Sequence, residues 1–588
     1  MNGTSTPDNT EAADANWDLT VDLLVVGSGA GGLAAALVAA KHGAKVLLVE
    51  KGEQLGGTTA TSGGVLWIPD NDQARQQGLG DSSAKSHNYL RHELGDFYRE
   101  DMIEAFLRNG NAAVAYLEQH TDLKFDVIPW PDYHPSQVDG MLKGRSMVTR
   151  PFDGRLLGKD FNTVRPPVHR LMILGGLMVQ ADEIPYFLNP FASFKAFRHV
   201  VVKVAKYAID RLQYPRGTDV RYGNALVSRA LLTLRKTDAQ IWLKTRFESL
   251  VRAQDGRVVG ALVMRDGSPV RVRARKGVVL ASGGFPHNPE LRKKYFAQFP
   301  HAHTAAYEGN VGDGLNAATA IGAAVDSDLR SPGLWSPASA MKAPDGSMST
   351  IMYGYLDRGR PGCIAVDPDG KRFVNESNSY HDIIMALHDQ HRGKDGYYFI
   401  CDRRFIRKYG LGAVRPFPIS PSVKPFVRSG YLQQGNTIEE LAGRIGLEPT
   451  ALAATMERYN GYTRTGKDLD FGRGTNAYNR QYASAPEYPN ANLAPIDDGP
   501  FYALKIEPAT LGTTVGIMTD GRSRVLDGLS QVIPGLYACG NERGSVFRGF
   551  YPGGGCTLGP AIAFGYAAAR DALGHEPAFE SNNKTVST

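Results

Sequence analysis

The segment from Val21 to Lys51, VDLLVVGSGAGGLAAALVAAKHGAKVLLVEK, leaves this chain little choice of fold. A β-branched and leucine-rich run of strand length, Val21–Val26, meets a glycine-rich turn and then an alanine-rich helical stretch. A second apolar run, Lys45–Val49, closes on Glu50. Gly27, Gly29 and Gly32 stand in G-x-G-x-x-G spacing inside this β-α-β unit, with Ala30 and Gly31 between them. Glycines there permit a tight turn, close approach of a pyrophosphate to the backbone, and close helix–strand packing. The helix N-terminus adds free N–H groups and a positive dipole end. An acid roughly 20 residues on accepts hydrogen bonds from ribose hydroxyls, the part that falls to Glu50. G-x-G-x-x-G alone is a weak signal, but here strand, helix, second strand and acid are all in place. The chain is expected to bind a dinucleotide.

The continuation says which one. After Lys51 comes a small-residue stretch, Gly56-Gly57-Thr58-Thr59-Ala-Thr-Ser62-Gly63-Gly64, able to follow an extended cofactor. Two later patches repeat the pattern of strand then glycine: Gly277–Phe285, with Ala281, Ser282 and Gly283, and Gly535–Asn541, ending on Gly540 and Asn541. Three such crossings, far apart in sequence, suggest one FAD domain built from both ends of the chain. The fold class expected is α/β, a Rossmann-like FAD-binding domain split in sequence (residues 17–306 and 499–573) around an inserted α+β catalytic domain (307–498). Within the insert, Thr437–Ile445 and Thr450–Thr463 read as helices interrupted at Gly446 and Pro449. Their core contacts are expected at Ile438, Leu441 and Ile445, and at Leu452 and Met456. Gly472–Pro489 reads as loop, and the polar ends, 1–16 and 574–588, read as disordered.

Composition removes other classes. With 42% hydrophobic and 21% charged residues over 588, disordered, collagen-like and coiled-coil readings fall away. No apolar run reaches the ~18 residues a spanning helix needs, and the acidic opening has neither a basic nor an apolar signal region. Cys363, Cys401, Cys539 and Cys556 lie far apart without a CxxC pair. That argues against a disulfide framework or a metal site and suits a reducing cytoplasm. A net charge of +6 on a chain this long does not call for a nucleic acid partner.

The GxGxxG…VEK, GGTT…SGG, ASGGF and GLYACGN segments together resemble the fumarate reductase/succinate dehydrogenase flavoprotein superfamily over nearly the whole chain. Members that attach FAD covalently carry a histidine before the first threonine of the GGTT-like segment. Gly57 stands there in this chain, so the resemblance implies non-covalent FAD. Dicarboxylate reductases of the superfamily place His-Pro-Thr and arginines after a GDG segment. Here Gly312-Asp313-Gly314 leads instead to Leu329-Arg-Ser-Pro-Gly-Leu-Trp335, and the pocket reads as apolar.

The segment Phe550-Tyr551-Pro-Gly-Gly-Gly555-Cys-Thr-Leu558-Gly-Pro is similar to that of the 3-ketosteroid Δ1-dehydrogenases. The resemblance implies that the Tyr551 hydroxyl and the Gly555 N–H hold a C3 carbonyl oxygen, with Leu558 beside the cofactor. It also implies a base toward the C2 proton at Tyr380, which closes Asn375-Glu-Ser-Asn-Ser-Tyr380. Hydride would pass from C1 to flavin N5. An assisting tyrosine is expected from a segment matched here by Asp132-Tyr133-His134-Pro135. His134 then stands in the tyrosine's place, with neighbouring Tyr133 as the alternative. The chemistry is coherent, because a carbonyl acidifies the adjacent carbon and two donors on its oxygen form an oxyanion clamp. A base tyrosine of ordinary pKa near 10 needs a neighbouring donor. Other reactions of the superfamily, a Δ4-dehydrogenase or an enone/enoate reductase, are alternatives, as is a non-catalytic flavin electron carrier. Partners implied are a steroid- or sterol-like 3-ketone and a quinone-like or dye electron acceptor.

An insertion, 165–222, carries an amphipathic helix within 184–212. Phe191, Phe194, Phe197, Val201, Val204, Ala208 and Leu212 fall on one side at helical spacing; Lys195, His199, Lys203 and Lys206 fall on the other. Six bases and one acid lie between Tyr186 and Arg216. Three readings stand: the stripe packs on the protein's own core, it attaches the enzyme peripherally to an anionic bilayer on the cytoplasmic side, or it meets a partner protein.

Overall fold

The structure is a computed structural model that describes residues 16–168, 171–180, 182–297, 299–342, 348–352, 358–390 and 396–575. The expected tails therefore lie outside the described residues, except Asn16, Gly574 and His575.

Hydrophobic runs flanked by glycine produce the parallel centre of a mixed sheet. Strand Leu19–Val26 lies between Val46–Val49 and the long strand Ser268–Leu280, parallel to both. Gln240–Trp242 extends the sheet on one side, and Val532–Ala538 pairs with the end of Ser268–Leu280 on the other. Both ends of the chain thus meet in one sheet, which has eight strands among the described residues. Residues buried on both faces of a parallel sheet need no alternation, which is why VLLV at 46–49 is buried throughout.

Helix Ala30–Lys41 follows the same rule, buried from Ala30 through Ala39. It ends in Lys41 and His42, with Gly43 at φ +80°, the left-handed residue that terminates many helices. Helix Leu558–Ala572 crosses it closely. A Cβ on Gly565 would lie 2.3 Å from the Gly31 carbonyl oxygen, so only glycine fits there.

A second sheet has seven strands among the described residues, and Phe501–Thr513 is its centre. This strand pairs with Gly333–Lys342 and with Tyr397–Asp402, both antiparallel. His303–Thr304 also joins it. The boundaries expected at 306/307 and 498/499 therefore shift. Residues 303–304 and 501–513 belong by pairing to the second sheet, and Pro500 and its neighbours are not a domain edge. Apolar runs alone do not reveal which sheet a strand joins.

Helices Ile438–Ile445 and Pro449–Thr465 pack on this sheet through Leu441, Leu452, Met456 and Tyr459. Thr437 caps the first, accepting the Glu440 N–H at 3.1 Å, and Gly446 at φ +73° ends it. Within the stretch read as loop, Ala477–Arg480 forms one short helical turn capped by Asn476.

Candidate active site

One cavity of about 1190 Å³ runs from the glycine-rich loops of the first sheet to the second sheet. A pocket for one drug-sized ligand spans ~300–1,000 Å³, so this cavity has room beyond a single small molecule. Of the residues assigned to cofactor binding from the sequence, all line it except Gly32. Gly32 serves packing: a Cβ there would sit 2.0 Å from the Gly27 carbonyl oxygen. Gly27 itself adopts φ +101°, with the Ala281 carbonyl oxygen 2.4 Å from where a Cβ would be.

These residues suit a dinucleotide. Helix Ala30–Lys41 has no side-chain cap at Gly29, and its first turn opens on the cavity. The Ala30 N–H donates to Thr59 Oγ1 at 3.0 Å, joining the first loop to the second. Glu50 is buried and accepts from Ser28 Oγ at 2.6 Å and from the Gly52 N–H at 2.8 Å, which fixes its carboxylate where the ribose would lie. Thr58 Oγ1 accepts the Tyr307 N–H at 2.9 Å, and Lys51 pairs with Asp313. Gly57 lines the cavity with no side-chain atom through which a flavin could be covalently attached.

At the wall of the same cavity three buried tyrosines from three distant segments converge. The Tyr133 hydroxyl donates to the Tyr380 hydroxyl at 2.9 Å. Ring centroids of Tyr133 and Tyr551 are 5.3 Å apart, as are those of Tyr380 and Tyr551. Tyr380, Tyr551 and Gly555 line the cavity; Tyr133 backs them. Gly555 at φ +109° lets its backbone lie against Leu66 and Trp67, and the Trp67 N–H donates to its carbonyl at 3.2 Å.

His134 does not take the assisting position. Its Nδ1 meets Glu93 at 2.9 Å and its Nε2 meets Asp382 at 3.0 Å, outside the cavity lining. The chain bends at these two residues, and their side chains diverge: Tyr133 faces Tyr380 while His134 faces the acids. Burial disfavours the imidazolium, but Asp382 and Glu93 outweigh it and raise the His134 pKa well above its ordinary value. His381, by contrast, is driven by burial down to about 4 and is neutral at pH 7. Its Nδ1 accepts the Trp335 N–H at 3.1 Å, and its ring lies 5.8 Å from that of Tyr551.

The supports of the tyrosines were not foreseen. Buried Arg145 bridges Asp132 at 2.8 Å and Asp81 at 2.8 Å, and Asp132 also accepts Trp67 Nε1–H at 2.9 Å. The Tyr133 N–H donates to the Pro552 carbonyl at 3.0 Å, tying the early segment to the late loop. Ahead of Tyr380, Glu376 is gripped by Arg372 at 2.9 Å and by Arg473 at 3.0 Å. The only usable sequence signal was an acid near two of the tyrosines, Asp132 beside Tyr133 and Asp382 just after Tyr380. The lining is predominantly apolar, as expected, with Arg360, Lys408 and Arg415 standing among Tyr409 and Val414 on one stretch of it.

The insertion is amphipathic as its period implied, and its apolar stripe faces outward. Helix Phe194–Asp210 turns Lys203, Asp210 and Ala196 inward. Lys203, 9% exposed, pairs with Glu183, and Asp210 accepts from Thr218 Oγ1 at 2.7 Å. Phe194 is 80% exposed and Leu212 83%, with Phe191, Val201 and Ile209 also outside. The stripe does not pack on the protein's own core. Just before it, Ile184, Phe187 and Leu188 line the cavity. No helix among the described residues is long and apolar enough to cross a membrane.

The doubly built sheet, the glycine cradle and the adjoining cleft define an FAD flavoprotein. The chain matches the FAD binding domain family over residues 22–558 and belongs to it; FAD is its cofactor. It is 37% identical to the 4-oxocyclohex-2-ene-1-carboxylate 5-dehydrogenase of Sinomonas cyclohexanicum, with 95% of this chain and 94% of that protein covered. It is 36% identical to the 3-oxosteroid 1-dehydrogenase of Mycolicibacterium smegmatis, covering 94% and 96%. Among solved structures, the 3-ketosteroid Δ1-dehydrogenase of Sterolibacterium denitrificans in complex with 1,4-androstadiene-3,17-dione is similar, at TM-score 0.86 and 33% identity. That match covers 94% of this chain and 99% of the other.

Proposed function

We propose that this protein is an FAD-dependent dehydrogenase that inserts a C1–C2 double bond beside the ketone of a 3-ketosteroid or a closely related cyclic ketone. One observation carries the reading: the Tyr133–Tyr380 hydroxyl pair and the Tyr551–Gly555 loop meet at the wall of the same cavity that the cofactor cradle lines. The relatives support it, because their names share removal of hydrogen from a ring carbon near a ketone.

Tyr551 O–H and Gly555 N–H hold the carbonyl oxygen and stabilise the developing enolate, worth ~3–4 kcal/mol per donor. Tyr380 takes the proton from the carbon next to the carbonyl, and Tyr133, donating to Tyr380, stabilises the oxyanion that Tyr380 must carry to act. His381, neutral and buried, packs beside Tyr551 and keeps that wall uncharged. FAD, when bound, accepts the hydride equivalent from the neighbouring carbon. A quinone- or dye-like electron acceptor would be the second partner of the reaction. The FAD domain, with its two sequence segments, and the inserted catalytic domain are the two walls of this site.

Peripheral attachment to an anionic membrane through 184–212, on the cytoplasmic face, belongs to the same reading. The outward apolar stripe, flanked by exposed Lys195 and Arg198, supports it. The test is anaerobic bleaching of the flavin on mixing with 4-en-3-one and 5α-3-one steroids, followed by product analysis with an artificial acceptor. Bleaching with formation of a Δ1 product is expected. A Δ4 product from the 5α-3-one substrate, or no bleaching with any cyclic ketone, overturns the assignment.

A further inference from the structure

We infer that His381 is a positioning residue for the clamp on the ketone oxygen, holding the turn that precedes Tyr551 against the helix that begins at Tyr380. This rests on the dehydrogenase reading and adds to it a residue outside the cavity lining. Helix Tyr380–Asp389 opens with three residues that fasten three different parts of the site. Tyr380 meets the Tyr133 hydroxyl at 2.9 Å, and Asp382 meets His134 at 3.0 Å. His381, between them, turns to strand Gly333–Lys342 and to the late loop. Its Nδ1 accepts the Trp335 N–H at 3.1 Å, and the Gly549 carbonyl favours a proton on its ring. The Tyr551 ring lies beside it, with centroids 5.8 Å apart.

The turn is one that has to be held. Arg548 adopts φ +55° and Gly549 φ +89°, two successive residues in the left-handed region. For a residue with a side chain that conformation is uncommon and persists where the surroundings fix it. Arg548 is buried, pairs with Asp326, and accepts the Arg330 N–H on its carbonyl at 2.9 Å. Gly549 lies so close to Ser331 that a Cβ would stand 2.4 Å from the Ser331 carbonyl oxygen. These contacts tie the turn to residues 326–331. His381 ties it to the helix that carries the base, and so sets clamp and base relative to each other. Histidine suits the task. Burial lowers its pKa to about 4, so the ring is neutral at pH 7. With Nδ1 accepting from Trp335, the proton sits on Nε2. One rigid ring thus accepts from the strand on one side and donates toward the turn on the other.

The experiment compares His381→Asn, His381→Gln and His381→Leu with the native FAD-loaded enzyme, using a 4-en-3-one steroid and an artificial acceptor, with kcat taken per bound flavin. Asparagine puts an acceptor where Nδ1 lies and stops short of the turn. Glutamine puts an amide donor where Nε2 lies. Leucine offers neither bond, and takes the place of His381→Asn if that variant does not hold flavin. In His381→Asn and His381→Leu kcat should fall about 10²-fold, the size of effect that a small misplacement of reacting groups produces. His381→Gln should recover most of that loss. KM for the ketone should stay near native in all three, because donors on a developing enolate act in the transition state. Equal kcat in His381→Gln and His381→Asn, or a higher kcat in His381→Asn, overturns the role. So does damage confined to flavin content and melting temperature, with kcat per bound flavin unchanged. Either result leaves the dehydrogenase reading intact, since the native enzyme still turns over. If no cyclic ketone bleaches the native flavin, the dehydrogenase reading fails and this role falls with it.

Discussion

The two ends of the cavity are built from different materials. At the nucleotide end the contacts are mostly backbone, and the glycines of one contiguous segment, Gly27 to Gly32, supply turn, cradle and packing. At the ketone end the contacts are side chains, and Tyr133, Tyr380 and Tyr551 arrive from separate segments. A backbone site depends on the absence of atoms; a side-chain site depends on hydroxyl groups held in place by buried ion pairs. Damage at the first should abolish binding, and damage at the second should abolish turnover with binding retained.

The sharpest contrast pairs Gly32→Ala with Tyr380→Phe. A Cβ on Gly32 collides with the Gly27 carbonyl oxygen, which is backbone and has nowhere to go. The variant should purify nearly free of FAD, measured by absorbance of the released flavin. Tyr380→Phe keeps the ring and its packing and should retain FAD fully, while kcat falls by about 10²–10⁴-fold, the size of a general-base contribution. Should Tyr380→Phe lose flavin, or keep near-normal turnover, the separation of the two ends would be wrong.

This difference also explains what could be read from the sequence. Loops that need glycine announce themselves, because few other residues tolerate the conformation or the approach. The tyrosines were found through family resemblance at positions 380 and 551. The resemblance alone left the assisting partner open between Tyr133 and His134, and it took the geometry to show which hydroxyl meets Tyr380. Arg145 could not be matched to Asp81 and Asp132 from spacing, since 64 positions separate it from the former. Helix Phe194–Asp210 teaches a related point: its period was legible and its direction was not. Which face turns inward was decided by Glu183 and Thr218, which receive Lys203 and Asp210 and lie outside the helix. The central place of Phe501–Thr513 in the second sheet was hidden for the same reason, because pairing partners leave no mark in a strand's own composition.

Next in size is the support beneath Tyr133. Arg145 is fully buried between two buried carboxylates, and burial raises the Asp132 pKa although Arg145 opposes it. Arg145→Ala leaves both acids without their cation, which costs about 3–5 kcal/mol in fully buried pairs. Denaturant titration should show that loss. At temperatures where the variant remains folded, flavin content should fall less than turnover, because the ion cluster braces the ketone end. A loss under about 1 kcal/mol would mean that the cluster is solvated in a way its burial does not indicate.

The smallest effect tests His134, which clamps helix Tyr380–Asp389 to the Tyr133 segment through Asp382 and Glu93. Its folded pKa is raised, so the sign follows directly. Below the unfolded value near 6.5 the imidazole is protonated in both states and its stabilisation is complete. As pH rises through the higher folded value, the folded state loses its proton and that stabilisation disappears. His134→Gln should therefore destabilise by about 2 kcal/mol at neutral pH, between the values for exposed and buried pairs. The melting-temperature gap from native enzyme should narrow as the solution is made alkaline. Because the clamp sets the approach of Tyr133 to Tyr380, kcat should fall a few-fold with KM for the ketone little changed. A gap that stays constant across the alkaline range would show that the imidazole is held neutral, and that the two acids around it, rather than the charge between them, fix the position of the base.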